Sequence, residues 1–455
     1  MNLEAFNDYI QAQSIRFLDE LEELIAFPSV AAQHRSIEPC ADWLVARLAT
    51  LGAKVQHFSI QDGSPIILAE IGTGPYTLMV YNHYDVQPET PAEEWDTPPF
   101  SLTRQDGLLI GRGTADDKGE LLARIQAVET WLATQGPLPI RIKFIYEGEE
   151  EIGSVHLAHW VHEHRELLSA DGLLWEGSTY DEAGRYQIAE GCKGIAYFEL
   201  HTSGPSYDLH SSLAPIVPNP AWRLVQALST LKDAHDNITL DGIHDYIRPM
   251  PEEVLAQIDA IPFEAEKMRE NFGLSRWLND IDNHTARRRW MLEPTITICG
   301  LYSGYIEQGA KTIVPAKAMA KIDCRLVPDL TPEIMQKLLR QHLDKRGFTD
   351  VEIVMLAGEA PAMQAQDSLL RQATYRAYQQ VLAQQPILVP WFTGSGPMYP
   401  LSVELGIPVV AAGATWHPQS RAHAPNENIY ERDYFHAMRL MGALMGVLGD
   451  LSLEG

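Results

Sequence analysis

Apolar and polar positions follow two different rhythms along this chain. Through the first third, short runs rich in β-branched and aromatic residues alternate with stretches whose apolar residues recur at helical spacing, the pattern of βαβ units around a parallel sheet. It predicts helices over 3–26 and 37–51, strands over 55–60, 65–71, 77–83, 139–146 and 172–176, and a long helix over 116–134 among them. The same style returns near the end, where a strand over 407–412 precedes a closing helix over 431–448.

Between these parts the rhythm changes. From about residue 194 the order becomes strand (IAYFELHT), helix (NPAWRLVQALSTLKDA), an irregular stretch, strand (PTITICGL), strand (AMAKIDCRLV), helix (TPEIMQKLLRQHLDKRG) and strand (VEIVML). This βαββαβ order is the ferredoxin-like pattern. The expected fold class is therefore α/β: residues 1–193 and 361–455 form a domain with a mostly parallel sheet flanked by helices, and 194–360 form an inserted ferredoxin-like α+β domain. The irregular stretch at 235–290 carries short helices and Pro, Asp and Asn breaks, and no role is readable in it.

Composition removes several functional classes. Lys and Arg number 35 against 61 Asp and Glu, a net charge of −26, which argues against a nucleic-acid or anionic-membrane surface because both need a basic footprint. The longest apolar run, Leu440 to Gly449, has ten residues, short of the roughly 20 that a spanning helix needs. The start, MNLEAFNDYI, lacks the basic and apolar regions of a secretory signal. Four widely spaced cysteines form no C-x-x-C pair, which argues against thiolate zinc sites and a disulfide framework and fits a cytoplasmic protein.

Candidate chemistry gathers at the ends of predicted strands, where ligands bind in open α/β sheets. One strand runs into His83-Tyr84-Asp85, whose alternation puts His83 and Asp85 on one side, so that the carboxylate can support a metal-bound imidazole. The run Gly111-Arg112-Gly113-Thr114-Ala115-Asp116-Asp117-Lys118-Gly119 opens the long helix; helix capping accounts for one Asp, but not for two adjacent ones. Glu147-Gly148-Glu149-Glu150-Glu151-Ile152-Gly153-Ser154 follows another strand, and taken alone it reads as a solvated charge run. Glu176 follows GLLW, and His423 precedes the last helix in His423-Ala424-Pro425-Asn426-Glu427. Histidines and carboxylates without cysteine suit Zn²⁺, with Co²⁺ or Mn²⁺ as alternatives. Two divalent ions balance Asp116, Glu151, Glu176 and one hydroxide, whereas the carboxylates alone would repel one another.

In this order, these motifs together with Asp208-Leu209-His210-Ser211 resemble the di-zinc exopeptidase family of carnosinases, peptidase V, aminoacylase and succinyl-diaminopimelate desuccinylase. Gly309-Ala310-Lys311-Thr312-Ile313-Val314-Pro315, Arg325-Leu326-Val327-Pro328-Asp329 and Gly394-Ser395-Gly396-Pro397 resemble the carnosinase-like dipeptidases in particular. The resemblance implies two divalent ions per chain, with Asp116 bridging them, His83 and Glu176 completing one site, and Glu151 and His423 the other. It implies that Asp85 orients His83, that Glu150 is the general base for a metal-bridging water, and that the Asp116–Asp117 peptide is cis. It further implies that 194–360 is a lid and dimerisation domain whose His210 reaches the active site of a second copy in a homodimer. The resemblance to the carnosinase-like members also implies that Thr312, Arg325 and Ser395 sit at substrate-binding positions, with Arg325 suited to a C-terminal carboxylate.

The implied activity is metal-dependent hydrolysis of dipeptides or short peptides with a free C-terminus; the alternatives are an N-acyl-amino-acid amidohydrolase and a non-catalytic metal-binding homologue. Ser212 stands where the family has Gly, and Asp171 or Asp181 could replace Glu176. His156, His159, His162 and His164 mimic a metal face on what reads as an exposed helix, and His417 lacks the Asn-Glu that follows His423.

Overall fold

The computed structural model describes residues 1–363 and 367–454. The strands of its two larger sheets are β1 (Lys54–Phe58), β2 (Ile66–Ile71), β3 (Thr77–His83), β4 (Arg141–Glu147), β5 (Gly172–Trp175), β6 (Gln187–Ala189), β7 (Gly194–Ser203), β8 (Thr297–Ser303), β9 (Lys317–Leu326), β10 (Glu352–Glu359), β11 (Ile387–Val389) and β12 (Val409–Ala411). The main helices are α1 (Leu3–Ile25), α2 (Ile37–Thr50), α3 (Lys118–Thr134), α4 (Pro220–Leu228), α5 (Glu252–Ala260), α6 (Ala265–Asn271), α7 (Asn283–Leu292), α8 (Pro332–Lys345), α9 (Leu369–Leu382) and α10 (Glu431–Glu454). The chain forms two compact units. Unit 2 comprises Cys192–Met363 with Trp391–Gly396, and unit 1 comprises Met1–Gly191 with the remaining described residues.

Unit 1 is built on an eight-stranded mixed sheet in the order β1-β2-β4-β3-β5-β12-β6-β11. Its central ladders, β4–β3, β3–β5 and β5–β12, are parallel, and antiparallel pairing of β1 with β2 and of β2 with β4 closes one side. The central strands are buried along nearly their whole length, as parallel strands covered on both faces must be. Helix α3 packs against both α1 and α10 and is buried on almost every side. Inside it the Arg124 guanidinium donates to the carbonyls of Tyr81 (3.2 Å), Trp175 (2.8 Å) and Ala412 (2.8 Å). One buried cation thus ties together the carboxyl ends of β3, β5 and β12, the edge on which the chemistry sits. The short strands β6 and β11 and helix α9 lie beyond what the hydrophobic pattern predicts.

In unit 2 the strand–helix–strand–strand–helix–strand succession forms an antiparallel sheet, β8-β9-β7-β10, the ferredoxin-like order. The alternate residues Ala196, Phe198 and Leu200 of β7 and Ala320, Ile322 and Cys324 of β9 face a core shared with Leu224 of α4 and Leu339 of α8. Helix α8 begins with Thr331 accepting the amide of Ile334 and Pro332 in the first turn. Helix α4 ends at Leu228, earlier than its apolar pattern suggests. No described helix is long and apolar enough to cross a membrane.

Candidate functional site

Within unit 1, five chain segments converge. His83 ends β3 fully buried, and its Nδ1–H donates to the backbone carbonyl of Asp85 (3.1 Å). That hydrogen bond fixes the tautomer and leaves the Nε2 lone pair for the centre of the cluster. Nε2 lies 3.0 Å from Asp116 Oδ1 and 3.4 Å from Glu176 Oε2. The Asp85 carboxylate, 3.4 Å from His83 Nδ1, accepts the amides of Glu150 (3.2 Å) and Glu151 (3.0 Å) and so holds the glutamate turn beside β3.

The Asp116–Asp117 peptide is cis. Asp116 directs its second oxygen to His423 Nε2 (2.9 Å), which also lies 3.2 Å from Glu151 Oε2. Two ligand groups result, His83 with Asp117 and Glu176, and Asp116 with Glu151 and His423, each with donor atoms within 4.8 Å of one another. The Asp116 carboxylate touches a histidine of each group. Neither group contains Glu150, His417 or any of the histidines at 156, 159, 162 and 164. Asp171 instead accepts the amide of Thr77, and Asp181 pairs with Arg185.

The electrostatics favour positive charge at the centre of the cluster. Burial, reinforced by Asp116 and Glu151, pushes the Glu176 carboxyl up to about 7, although His83 opposes the shift. Burial likewise raises Glu150 well above the carboxylate range, helped by Glu176, Glu151 and Asp116. Hydrogen bonds that the His423 ring donates to the Asp116 and Glu151 carboxylates lift it to about 10. Glu176 Oε2 and Asp117 Oδ1 are buried without a hydrogen-bond partner among the described residues. Orphaned carboxylate oxygens in the His83 group, and an Asp116 carboxylate with one oxygen near each imidazole, fit a pair of divalent cations.

Two residues of this cluster escaped the sequence reading. Asp117 joins His83 and Glu176, and Asn82 Nδ2 donates to its Oδ2 (2.6 Å). The doubled Asp at the helix start was the available signal. The other is Glu427, fully buried, which pairs with buried Arg112 (2.6 Å) and accepts the amides of Gly113 (3.1 Å), Ala115 (2.8 Å) and Asp116 (2.9 Å). It locks the Asp116 loop to the segment carrying His423. Gly119 lets that loop fold back, since a Cβ there would lie 2.0 Å from the carbonyl oxygen of Thr114.

The remaining candidates lie in unit 2. His210 is exposed in a two-stranded ribbon, Leu209–His210 paired with Ile313–Val314, and Thr312 sits beside it, its carbonyl accepting the amide of Ser211 (3.0 Å). His210 Nδ1 accepts the amide of Ser212 (3.2 Å), so the neutral ring carries its proton on Nε2. Ser212 is not among the residues with positive φ, so the loop does not need the family's glycine there. Arg325 Nη1 donates to Ser395 Oγ (3.0 Å), bringing that pair together.

Residues 79–446 match peptidase family M20/M25/M40. The chain is 29% identical to beta-Ala-His dipeptidase of Rattus norvegicus, over 99% of this chain and 96% of that protein. It is 30% identical to Cys-Gly metallodipeptidase dug1 of Schizosaccharomyces pombe, over 76% of each. Among solved structures it resembles the M20 family metallo-carboxypeptidase Sso-CP2 from Sulfolobus solfataricus, with a TM-score of 0.91 and 35% identity over 95% of this chain and 99% of that one.

Proposed function

Because the chain belongs to peptidase family M20/M25/M40, we propose that it is a metal-dependent dipeptidase acting on dipeptides or short peptides with a free C-terminus. The observation that carries this reading is the Asp116 carboxylate, set between two ligand groups with one oxygen near His83 and the other near His423. His83, Asp116, Asp117, Glu151, Glu176 and His423 are the residues that would hold two divalent ions, zinc being the metal best suited to the donor set. Bound there, the ions would polarise the scissile carbonyl and acidify water.

This chain's own residues then do the following. Glu150, in neither ligand group, takes a proton from the attacking water and hands it to the leaving amine. Asp85 keeps Glu150 and Glu151 in place through their amides. Arg325, steadied by Ser395, grips the substrate carboxylate, with Thr312 as a further substrate contact. Unit 1 is the catalytic domain and unit 2 the lid and dimerisation domain. His210, with its proton on Nε2, stabilises the developing oxyanion in a second copy of the chain. The wide spacing of the four cysteines, with no C-x-x-C pair, supports a cytoplasmic location.

The test is elemental analysis of purified protein combined with a panel of dipeptides and N-acyl-amino acids. Two metals per chain with dipeptide turnover is expected; turnover of N-acyl-amino acids alone would favour an amidohydrolase. Glu150→Ala should lower turnover by about 10²–10⁴-fold, the usual worth of general acid–base catalysis, with both metals retained. A loss within tenfold would remove Glu150 from the role of base. Mixing His210→Ala with Glu150→Ala chains, with subunit exchange verified, should restore activity, because a mixed dimer contains one site with both groups intact. Activity that stays absent would place His210 over its own subunit's site.

A further inference from the structure

The irregular 235–290 stretch walls a cavity of about 1110 Å³ whose lining residues all belong to unit 2. We propose that this cavity receives the C-terminal residue of the substrate and favours a large aromatic side chain there, an inference that rests on the dipeptidase reading above.

The wall is aromatic. Phe263, between α5 and α6, lies 5.9 Å from the ring of Trp277 and 6.2 Å from that of Trp290. Trp277 is steadied by its Nε1–H, which donates to Asn283 (2.9 Å). Half of the Trp290 side chain is open to solvent although it lines a concave surface, an arrangement suited to offset stacking with an incoming ring. The wall is also anchored. Lys193, just ahead of β7, donates to the carbonyls of Trp290 (2.8 Å) and Glu293 (2.7 Å) and so pins the end of α7 beside that strand. Two residues further on, Ile195 pairs in register with Arg325 of β9, which lines the same cavity.

Charge identifies which end of a peptide fits. The lining holds Lys193, Lys232, Arg289 and Arg325 against Asp236 and Glu293, a cationic excess in a chain whose net charge is −26. Lys232 pairs with Asp236 (3.5 Å) and Arg289 with Glu293 (2.7 Å). Among the cavity's own charges, that leaves Lys193 and Arg325 without a carboxylate. The Arg325 side chain is 35% exposed, with Nε 3.4 Å from Asp323, a carboxylate outside the lining, and Nη1 on the Ser395 hydroxyl. A half-open guanidinium beside an aromatic wall matches a free carboxylate carried next to a large apolar side chain. The volume leaves ample room for one.

Calorimetric titration of the full-length, metal-loaded chain tests this without turnover. L-Phenylalanine should bind at least tenfold tighter than glycine, and at least tenfold tighter than L-phenylalaninamide. Thr297→Trp, which fills the cavity from its exposed strand, and Trp290→Ala, which removes part of the wall, should each erase the preference over glycine while the unfolding temperature shows a folded protein. Equal affinity for phenylalanine and glycine, or a preference that survives both variants, would overturn the inference. Hydrolysis of Ala-Gly and Ala-Phe separates the two readings. Cleavage of both with no phenylalanine preference leaves the dipeptidase standing and removes the cavity assignment. Cleavage of neither, with phenylalanine bound as expected, removes the dipeptidase and the substrate assignment and leaves a site for an aromatic carboxylate.

Discussion

The two units treat the charged side chains of their candidate sites in opposite ways. In unit 1, acidic groups are driven together out of water: Asp85, Asp117 and Glu427 are all buried, and each has a backbone amide, an Asn or an Arg assigned to it. In unit 2 the candidate substrate groups sit on a surface ribbon and at strand ends, with His210 and Thr312 exposed and Arg325 half-open. The first arrangement has little freedom to change, because removing one partner strands another in a place without water. The second costs little to alter, since solvent takes up whatever is lost. On the proposed function, a reaction centre fixed by buried partners and a recognition surface left adjustable would follow from that difference.

The largest break in this contrast comes from Glu427, which touches no reacting group. Glu427→Gln keeps the shape but leaves the buried Arg112 guanidinium without its counter-charge and disturbs the amides of Gly113, Ala115 and Asp116. Breaking a buried ion pair typically costs about 3–5 kcal/mol of stability. Loss of the support behind a metal ligand typically weakens metal affinity by about 10–100-fold. Competition with a chelator should therefore show weaker metal binding, and saturating zinc should restore most of the turnover. A folded variant with unchanged metal affinity would show that the His423 segment does not hold the Asp116 loop in place.

Arg325 gives the corresponding, smaller effect in unit 2. Arg325→Ala should cost free-acid dipeptides roughly tenfold or more in kcat/KM, since a hydrogen bond to a charged group is worth about 1.5–3 kcal/mol. The C-terminal amides of the same dipeptides should lose far less, and metal content should not move. Equal losses on acid and amide would take Arg325 out of carboxylate binding and leave it a surface arginine.

The contrast also explains what could be read from sequence. Strands β3, β4 and β5 were legible because they are central and buried, so their apolar runs are continuous; β6 and β11, at three residues each, are too short to show a period. His83, Asp116 and Glu176 stood out because they end an apolar run or open a helix, whereas Glu151 and His423 were legible only through the family resemblance of their motifs; the structure places the five in two ligand groups that share the Asp116 neighbourhood. Asp117 was hidden behind Asp116, whose neighbour reads as a cap. Glu427 was hidden because its partners, the amides of residues 113, 115 and 116, leave no trace in a side-chain pattern. Ser395 meets Arg325 because Trp391–Gly396 packs with unit 2, a long-range return that no local pattern encodes. The insert was illegible for a related reason: its aromatic residues are spaced 13 or 14 apart and meet only once α5–α7 have folded.

The smallest effect sharpens the comparison within unit 2. Glu359 of β10 lies across Ile195 from Arg325, both pairing with that residue of β7. Burial pushes its carboxyl from 4.5 up to about 7, with Arg325 opposing the shift. Between about pH 4.5 and 7 the folded chain therefore binds more protons at this position than the unfolded chain does. The stability contributed by the protonated form is present below pH 4.5 and is lost as pH rises through 7. Glu359→Gln mimics the protonated state at every pH, so the variant should gain on the parent chain as pH goes from 5 to 8. The gain in unfolding temperature should be about 2–4 °C, the shift that 1 kcal/mol produces in a unit of 150–250 residues. In an Arg325→Ala background that retains Glu359 the pH effect should be larger, measured against the Arg325→Ala, Glu359→Gln double variant, because the opposing cation is gone and the carboxyl moves further up. A pH-independent difference between Glu359→Gln and the parent would mean that water reaches this carboxyl and that the sheet face around Arg325 is as open as the ribbon carrying His210.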